Sequence, residues 1–163
     1  MSKVTDQDRV FLRRCVELAR EAMEAGDEPF GSLLVDAEGT ILFEDRNRTQ
    51  DGDATRHPEF EIARWAATNL SPDQRRTCVV YTSGEHCAMC SAAHAMVGLD
   101  RIVYASSGDQ LRSWRREWGV DRGIVIAPLP INAVAPNIPV AGPEPSLTDE
   151  MRAIHAQRLG IHE

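Results

Sequence analysis

No stretch of this sequence is long and apolar enough to cross a bilayer, which takes about 20 such residues in a row. The first ten residues are polar and lead into no apolar stretch with a cleavage-like site, so an export signal is not expected. Lysine is nearly missing: of 18 basic side chains all but Lys3 are arginine, against 25 acidic ones. At a net charge of −7 there is no diffuse positive field to draw the chain towards nucleic acid or an anionic membrane, although a local basic patch is compatible with that total. Cysteine is scarce as well, with Cys15, Cys78, Cys87 and Cys90 alone. Two disulfides would suit a small secreted domain; a chain of 163 residues without an export signal fits reduced thiols and a cytoplasmic location instead. Nor is there a repeat, a low-complexity tract or a linker, so a single domain with a sizeable core is expected over residues 1–163.

What the chain does have is periodicity. Residues 5–25 read as a helix: Thr5 and Asp8 make a capping pair, Phe11, Leu12, Cys15, Val16, Leu18, Ala19, Ala22 and Met23 recur on one face, and Gly26 stops it. Residues 31–36 and 40–45 read as strands joined by a turn at Ala37-Glu38-Gly39. In the polar loop 46–56, Asn47 is either a substrate contact or a turn-forming residue. His57 to Leu70 reads as a second helix with Pro58 at its first position, where the missing N–H costs nothing, and Ser71-Pro72-Asp73 ends it. Thr77 to Thr82 reads as a buried strand with Cys78 as core filler, Ser83-Gly84 as a turn, Cys87 to Val97 as a third helix, and Arg101 to Ala105 as another strand. Strand, helix and strand at this spacing require a crossover, hence parallel pairing with helices on the sheet. Asp109 to Trp118 reads as a short amphipathic helix, its tryptophans set against the core or a partner and Arg112, Arg115 and Arg116 outward. Six of the nine prolines fall between Pro128 and Pro145, a stretch expected to hold no helix. Its Ile, Val and Leu content favours an ordered loop with an edge strand near Ile138-Pro139-Val140. Ser146 and Asp149 then read as a capping pair opening a last helix to about Leu159.

Chemistry concentrates in two short pieces, each at an expected helix start: His57-Pro58-Glu59 and, 30 residues after His57, Cys87 with Cys90. The free N–H groups and dipole of a helix start stabilise thiolates. Residues i and i+3 share one side of the first turn, so both sulfurs reach one ion at about 2.3 Å. With His57 they make three ligands for zinc, and a three-ligand site leaves its fourth position to water. Glu59, beside a ligand without being one, is placed to take that water's proton. Each piece alone is weaker. A Cys-x-x-Cys also serves as a redox pair, usually after a strand in a thioredoxin-like unit, or as half of a closed structural zinc site. The closed site would need a fourth ligand from Cys15, Cys78, His86 or His94. Cys15 and Cys78 fall in apolar patterns, and His94, one turn further along, reads as a helix-packing histidine. Together, at this spacing, the two motifs point to one catalytic zinc.

On these motifs, and from its first helix to its last, the chain resembles the zinc-dependent cytidine deaminase-like superfamily, in the branch of guanine deaminase, fungal-type cytosine deaminase and tRNA adenosine deaminase. Zinc deaminases carry the pair His-x-Glu and Pro-Cys-x-x-Cys. The resemblance implies an α/β fold, a three-layer αβα arrangement with a mixed five-stranded sheet and helices on both faces. It implies zinc on His57, Cys87 and Cys90, with Glu59 as proton shuttle. Pro29-Phe30-Gly31 resembles the family's segment leading into its first strand, and makes Phe30 a candidate substrate contact. Asn47 matches the asparagine that holds the substrate ring, and Asp109 stands where guanine deaminase-like members carry an acidic contact. Two positions depart from the pattern. Pro58 replaces an alanine, which suits a helix start. His86 replaces the proline before the first cysteine, and either points into the pocket to read the substrate or lies outward as a loop residue.

The activity so implied is hydrolytic deamination of a free nucleobase or a related aminated ring, guanine-, cytosine- or triazine-like, with release of ammonia. A tRNA adenosine deaminase is the second reading; it needs a basic surface for a stem-loop, which a net charge of −7 disfavours. A closed, non-catalytic zinc module is the third. The family also implies a homodimer, with residues 146–163 as the candidate cover of an active site, the chain's own or its partner's.

Overall fold

Thr5 opens the first helix as its spacing predicts. Its hydroxyl accepts from Asp8 N at 3.1 Å while the Asp8 carboxylate accepts from Thr5 N at 2.8 Å, a complete capping box. The computed structural model describes residues 1–120 and 123–163. In chain order its elements are α1 (Asp6–Glu24), β1 (Gly31–Val35), β2 (Ile41–Arg46), α2 (Pro58–Asn69), α3 (Pro72–Arg75), β3 (Val79–Gly84), α4 (Ala88–Val97), β4 (Ile102–Ser106), α5 (Gly108–Glu117), α6 (Ile131–Val134), β5 (Val140–Ala141) and α7 (Thr148–Arg158). The strands form one mixed sheet in the order β2-β1-β3-β4-β5. Pairing is antiparallel from β2 through β1 to β3, and parallel from β3 through β4 to β5.

Side-chain alternation along these strands divides the core into two layers. Leu33, Val35, Tyr81, Val103 and Ala105 pack on Phe11, Leu12 and Cys15 of α1 and on Met151 and Ile154 of α7. Their neighbours Leu34 and Val80 point the other way, onto Ile62 and Ala66 of α2. Further along that second face, Ile102, Tyr104 and Val140 pack on Ile131 of α6. Each Leu, Ile or Val so removed from water gains about 1.5–3 kcal/mol. A one-residue slip of β1 would therefore forfeit both layers at once. Asp8 also locks the first layer to the sheet. Its carboxylate accepts from the Tyr81 hydroxyl at 2.9 Å and from both ends of the Arg101 guanidinium at 3.0 and 2.9 Å. Burial pushes the Asp8 carboxyl up, but the bonds from Arg101, Thr5 and Tyr81 outweigh it and leave the pKa lowered.

Three local expectations are corrected. The stretch 128–145 does contain a helical turn, α6, because Pro130 sits at its N-cap and no proline falls within Ile131–Val134. The strand expected at Thr77–Thr82 runs instead over Val79–Gly84. Ser71 caps the short α3 with Gln74, and the turn that follows takes up residues 76–78; Gly84, read as a turn residue, stays in the sheet opposite Ser106. Ser146 does not cap the last helix with Asp149. Its N–H and hydroxyl both donate to Glu144 Oε1, at 3.1 and 2.7 Å, and α7 starts after Leu147 without a side-chain cap. Arg9 holds the buried Glu144 in place, so the acceptor upstream is already fixed.

Candidate active site and metal centre

α2 and α4 lie side by side on the same face of the sheet, and each begins with a metal-ligand type of residue at its N-cap. His57 has the extended backbone of a cap (φ −83°, ψ 140°), with Pro58 fixing the first helical position behind it. Cys87 is the cap of α4 (φ −70°, ψ 173°), and Cys90 follows one turn in, fully buried. His57 Nδ1 stands 3.6 Å from Cys87 Sγ and 3.6 Å from Cys90 Sγ. All three donor atoms lie within 4.8 Å of one another.

The donor set suits zinc in kind and in spacing. One imidazole nitrogen and two sulfurs are zinc's preferred ligands, at about 2.0–2.1 and 2.3 Å. Tetrahedral angles at those bond lengths put nitrogen and sulfur about 3.6 Å apart, the separation both pairs show. Among the described residues no other His, Cys, Asp or Glu joins the group. Before an ion binds, the sulfurs are unequal. A hydrogen bond from Cys90, reinforced by His57, brings Cys87 down to about 4. The same bond and burial push the Cys90 thiol up, and contact with Cys87 raises His57. One thiolate is thus ready and a second proton leaves as the metal enters.

Glu59, in the first turn of α2, is buried at 6% exposure yet stands outside the ligand group. Its Oε1 accepts from the Thr82 hydroxyl at 2.9 Å, and Oε2 lies 3.9 Å from Cys90 Sγ. Burial raises its pKa above that of an ordinary glutamate, ahead of the opposing pull of His57. A carboxylate that holds a proton more readily than usual, next to an open metal position, is suited to receive and return one.

A cavity of about 370 Å³ reaches the metal group through Cys87, while His57, Glu59 and Cys90 lie outside its lining. Phe30 lines it, edge-on to His155 behind at 5.3 Å between ring centres. Gly84 is what admits that ring: a Cβ there would sit 2.8 Å from Phe30 Cε1. Asp109 stands on the rim in the first turn of α5, exposed and ion-paired with Arg112. Asn47 is buried but does not line the cavity. Its Oδ1 accepts from Thr49 N and from the Thr49 hydroxyl, at 3.1 and 2.9 Å, which is the turn-forming geometry. His86 contributes to the cavity wall, yet it is buried, and both ring nitrogens are shut off from solvent without a hydrogen-bond partner. Its ring meets His94 edge-on at 5.6 Å, and burial holds it neutral. An outward loop position for His86 is therefore excluded. His94 packs inside as expected, its Nε2 2.7 Å from Asp100 O.

Sequence reading missed four contributors. Glu85 accepts from Gly108 N at 2.9 Å and from Ile131 N at 3.2 Å, so one carboxylate ties the starts of α5 and α6 across the cavity wall. Arg112 and Arg115, read as outward, line the cavity. Thr82 reads, from sequence, as one more strand residue. An acidic residue between a predicted turn and a predicted helix start, and a hydroxyl at an inward position of a strand, were the available signals.

Two helix starts that present three nitrogen and sulfur donors, with a buried carboxylate beside them and no fourth side chain among the described residues, define the zinc-hydrolase class of site. The chain belongs to the cytidine and deoxycytidylate deaminase zinc-binding region family, whose model matches residues 5–106. That class comprises hydrolases acting on C–N bonds. It is similar to a probable cytosine deaminase of Schizosaccharomyces pombe, 33% identical over 113 residues, 68% of this chain and 67% of that one. It is also similar to a guanine deaminase of Bacillus subtilis, 38% identical over 98 residues, 59% of this chain and 62% of that one. The matches span about two thirds of those relatives' length. Proteins named tRNA-specific adenosine deaminase are among the relatives too. The fold matches that of the guanine deaminase of Nitrosomonas europaea with a TM-score of 0.72, over 98% of this chain and 87% of that one, at 21% identity.

Proposed function

We propose that the protein deaminates a free nucleobase or a related aminated heterocycle, guanine-, cytosine- or triazine-like, by hydrolysis. The observation that carries this reading is Glu59: a buried carboxylate aimed at the ligand group and not part of it. Zinc held by His57, Cys87 and Cys90 would lower the pKa of a water and make it nucleophilic near neutrality. Glu59 takes a proton from the attacking water and passes it to the ring nitrogen next to the carbon that bears the amine. After the water oxygen has bonded to that carbon, Glu59 takes the remaining proton from the new hydroxyl and gives it to the amino group. The C–N bond breaks, ammonia leaves, and a carbonyl remains. Phe30 offers a flat apolar surface for the ring, and Asp109 and Arg112 stand at the rim to meet its substituents. Asn47 is anchored through its Oδ1 by Thr49 in the loop ahead of α2, and its amide N–H is the candidate to hold the substrate ring.

The test is ammonia release across a panel of aminated purines, pyrimidines and triazines with the zinc-loaded protein. Turnover of at least one member is expected; no release from any would sink the reading and leave a non-catalytic zinc module. The relatives that act on tRNA keep a second reading alive. Against it stand the net charge of −7 and the engagement of both cavity arginines with acids, Arg112 with Asp109 and Arg115 with Glu28. Steep salt-dependent binding of tRNA would reverse that ranking.

A homodimer and a cytoplasmic setting belong to the same reading. Met96 and Val125 stand 86% and 95% exposed, which supports a partner surface, and all four cysteines are free thiols. Residues 146–163 do not line the cavity of their own chain, so a covering role would fall to the partner's segment. Sedimentation equilibrium should return twice the chain mass of 18.1 kDa; a monomer at micromolar concentration would remove the dimer and the shared cover together.

A further inference from the structure

We propose that Thr82 is a positioning residue for Glu59, fixing which carboxylate oxygen faces the metal ligands; this rests on the deaminase reading above. β1 and β3 are antiparallel, and their register sets Ser32 directly opposite Thr82. Alternation along the strands places both hydroxyls on the same face as Leu34 and Val80, beneath α2. Glu59 lies one helical turn before Ile62, which packs into that layer, so its carboxylate comes down over the pair.

Valine would be the ordinary choice for an inward strand position, since a hydroxyl buried at 0% exposure is costly unless it is bonded. The partners present fix who donates. Ser32 Oγ donates to Thr82 Oγ1 at 2.8 Å. Thr82 has one hydrogen of its own and two acceptors for it, Glu59 Oε1 and Gly84 O, each at 2.9 Å. A charged acceptor makes the stronger bond. Without it the carboxylate is held only by its own main-chain N–H, since the contact from Cys90 Sγ to Oε2, at 3.9 Å, is too long to fix an orientation. With it, Oε1 is tied to the sheet and Oε2 is left for the proton transfers. The bland alternative is that the two hydroxyls serve the sheet alone, as a cross-strand pair that also satisfies Gly84 O.

The test compares zinc-loaded wild type with Thr82→Val and Thr82→Ser. Removing the hydroxyl at constant volume should lower kcat about tenfold or more, as misplacement of a catalytic group does, with KM and zinc content little changed; Thr82→Ser should recover most of the loss. A second readout does not need turnover: with 13C at the glutamate δ-carbons, the Glu59 resonance, identified by its disappearance in Glu59→Gln, should move in T82V and stay put in T82S. If T82V does not fold, Thr82→Cys takes its place, close in size and a weak donor. Unchanged kcat, an unmoved resonance, or equal loss in the serine variant would each overturn the role. A protein that releases no ammonia from any amine defeats the deaminase reading, while the resonance still reports on the Thr82–Glu59 contact.

Discussion

Glu59→Gln is expected to lose ammonia release by a factor of about 10²–10⁴, the usual worth of a positioned acid–base group, while binding zinc as wild type does. The amide fills the same space beside Thr82 but can neither take nor return a proton. Stripped of metal, the variant should also be no less stable than wild type stripped in the same way. Burial raises the Glu59 pKa, so the folded state favours the protonated form; at pH values above that pKa the ionised carboxylate works against folding, and a neutral amide removes the penalty. Lower activity with an equal or higher melting temperature is the pattern of a group kept for chemistry at some expense of stability. Turnover, bound zinc and thermal unfolding measured on one preparation check all three parts. Wild-type turnover in Glu59→Gln would refute the shuttle, and loss of zinc would make Glu59 a ligand after all.

Removal of the metal is expected to abolish activity and to destabilise the fold. Zinc that binds only the native arrangement of His57, Cys87 and Cys90 adds about 4 kcal/mol at a free concentration a thousand times its Kd. For a domain of this length each kcal/mol moves the melting temperature by about 2–4 °C, so chelation should lower it by roughly 8–16 °C. Adding zinc back should restore both activity and melting temperature to the chelated wild type. Cys90→Ser should recover neither, because it withdraws a sulfur that is buried on the inner side of the site. Undiminished turnover in protein shown by metal analysis to hold no zinc would overturn the assignment.

The large features of this fold were legible because they rest on repetition or on punctuation. The Thr5–Asp8 box, the apolar stripe of α1, the turn at Ala37-Glu38-Gly39 and the glycine after α4, at φ 76°, each state a local rule that the tertiary structure has no reason to override. The metal group was legible for the same reason: two caps and one i+3 partner are local facts, and only their meeting is not. What escaped were choices between competing partners. Ser146 had two acceptors within reach and took Glu144, whose position depends on Arg9 far upstream. The inward position of His86, and the grip of Thr82 on Glu59, depend on which elements happen to lie overhead. No window of neighbouring residues contains that information.

The Glu85 carboxylate receives main-chain N–H groups from Gly108 and Ile131, and so it does not depend on the identity of any side chain at the rim. A segment grafted between those two points inherits both anchors whatever its composition. On the reading proposed above, the part of the molecule that would select a substrate could thus be exchanged by evolution or by engineering, with the metal-ligand position Cys87 left in place two residues away.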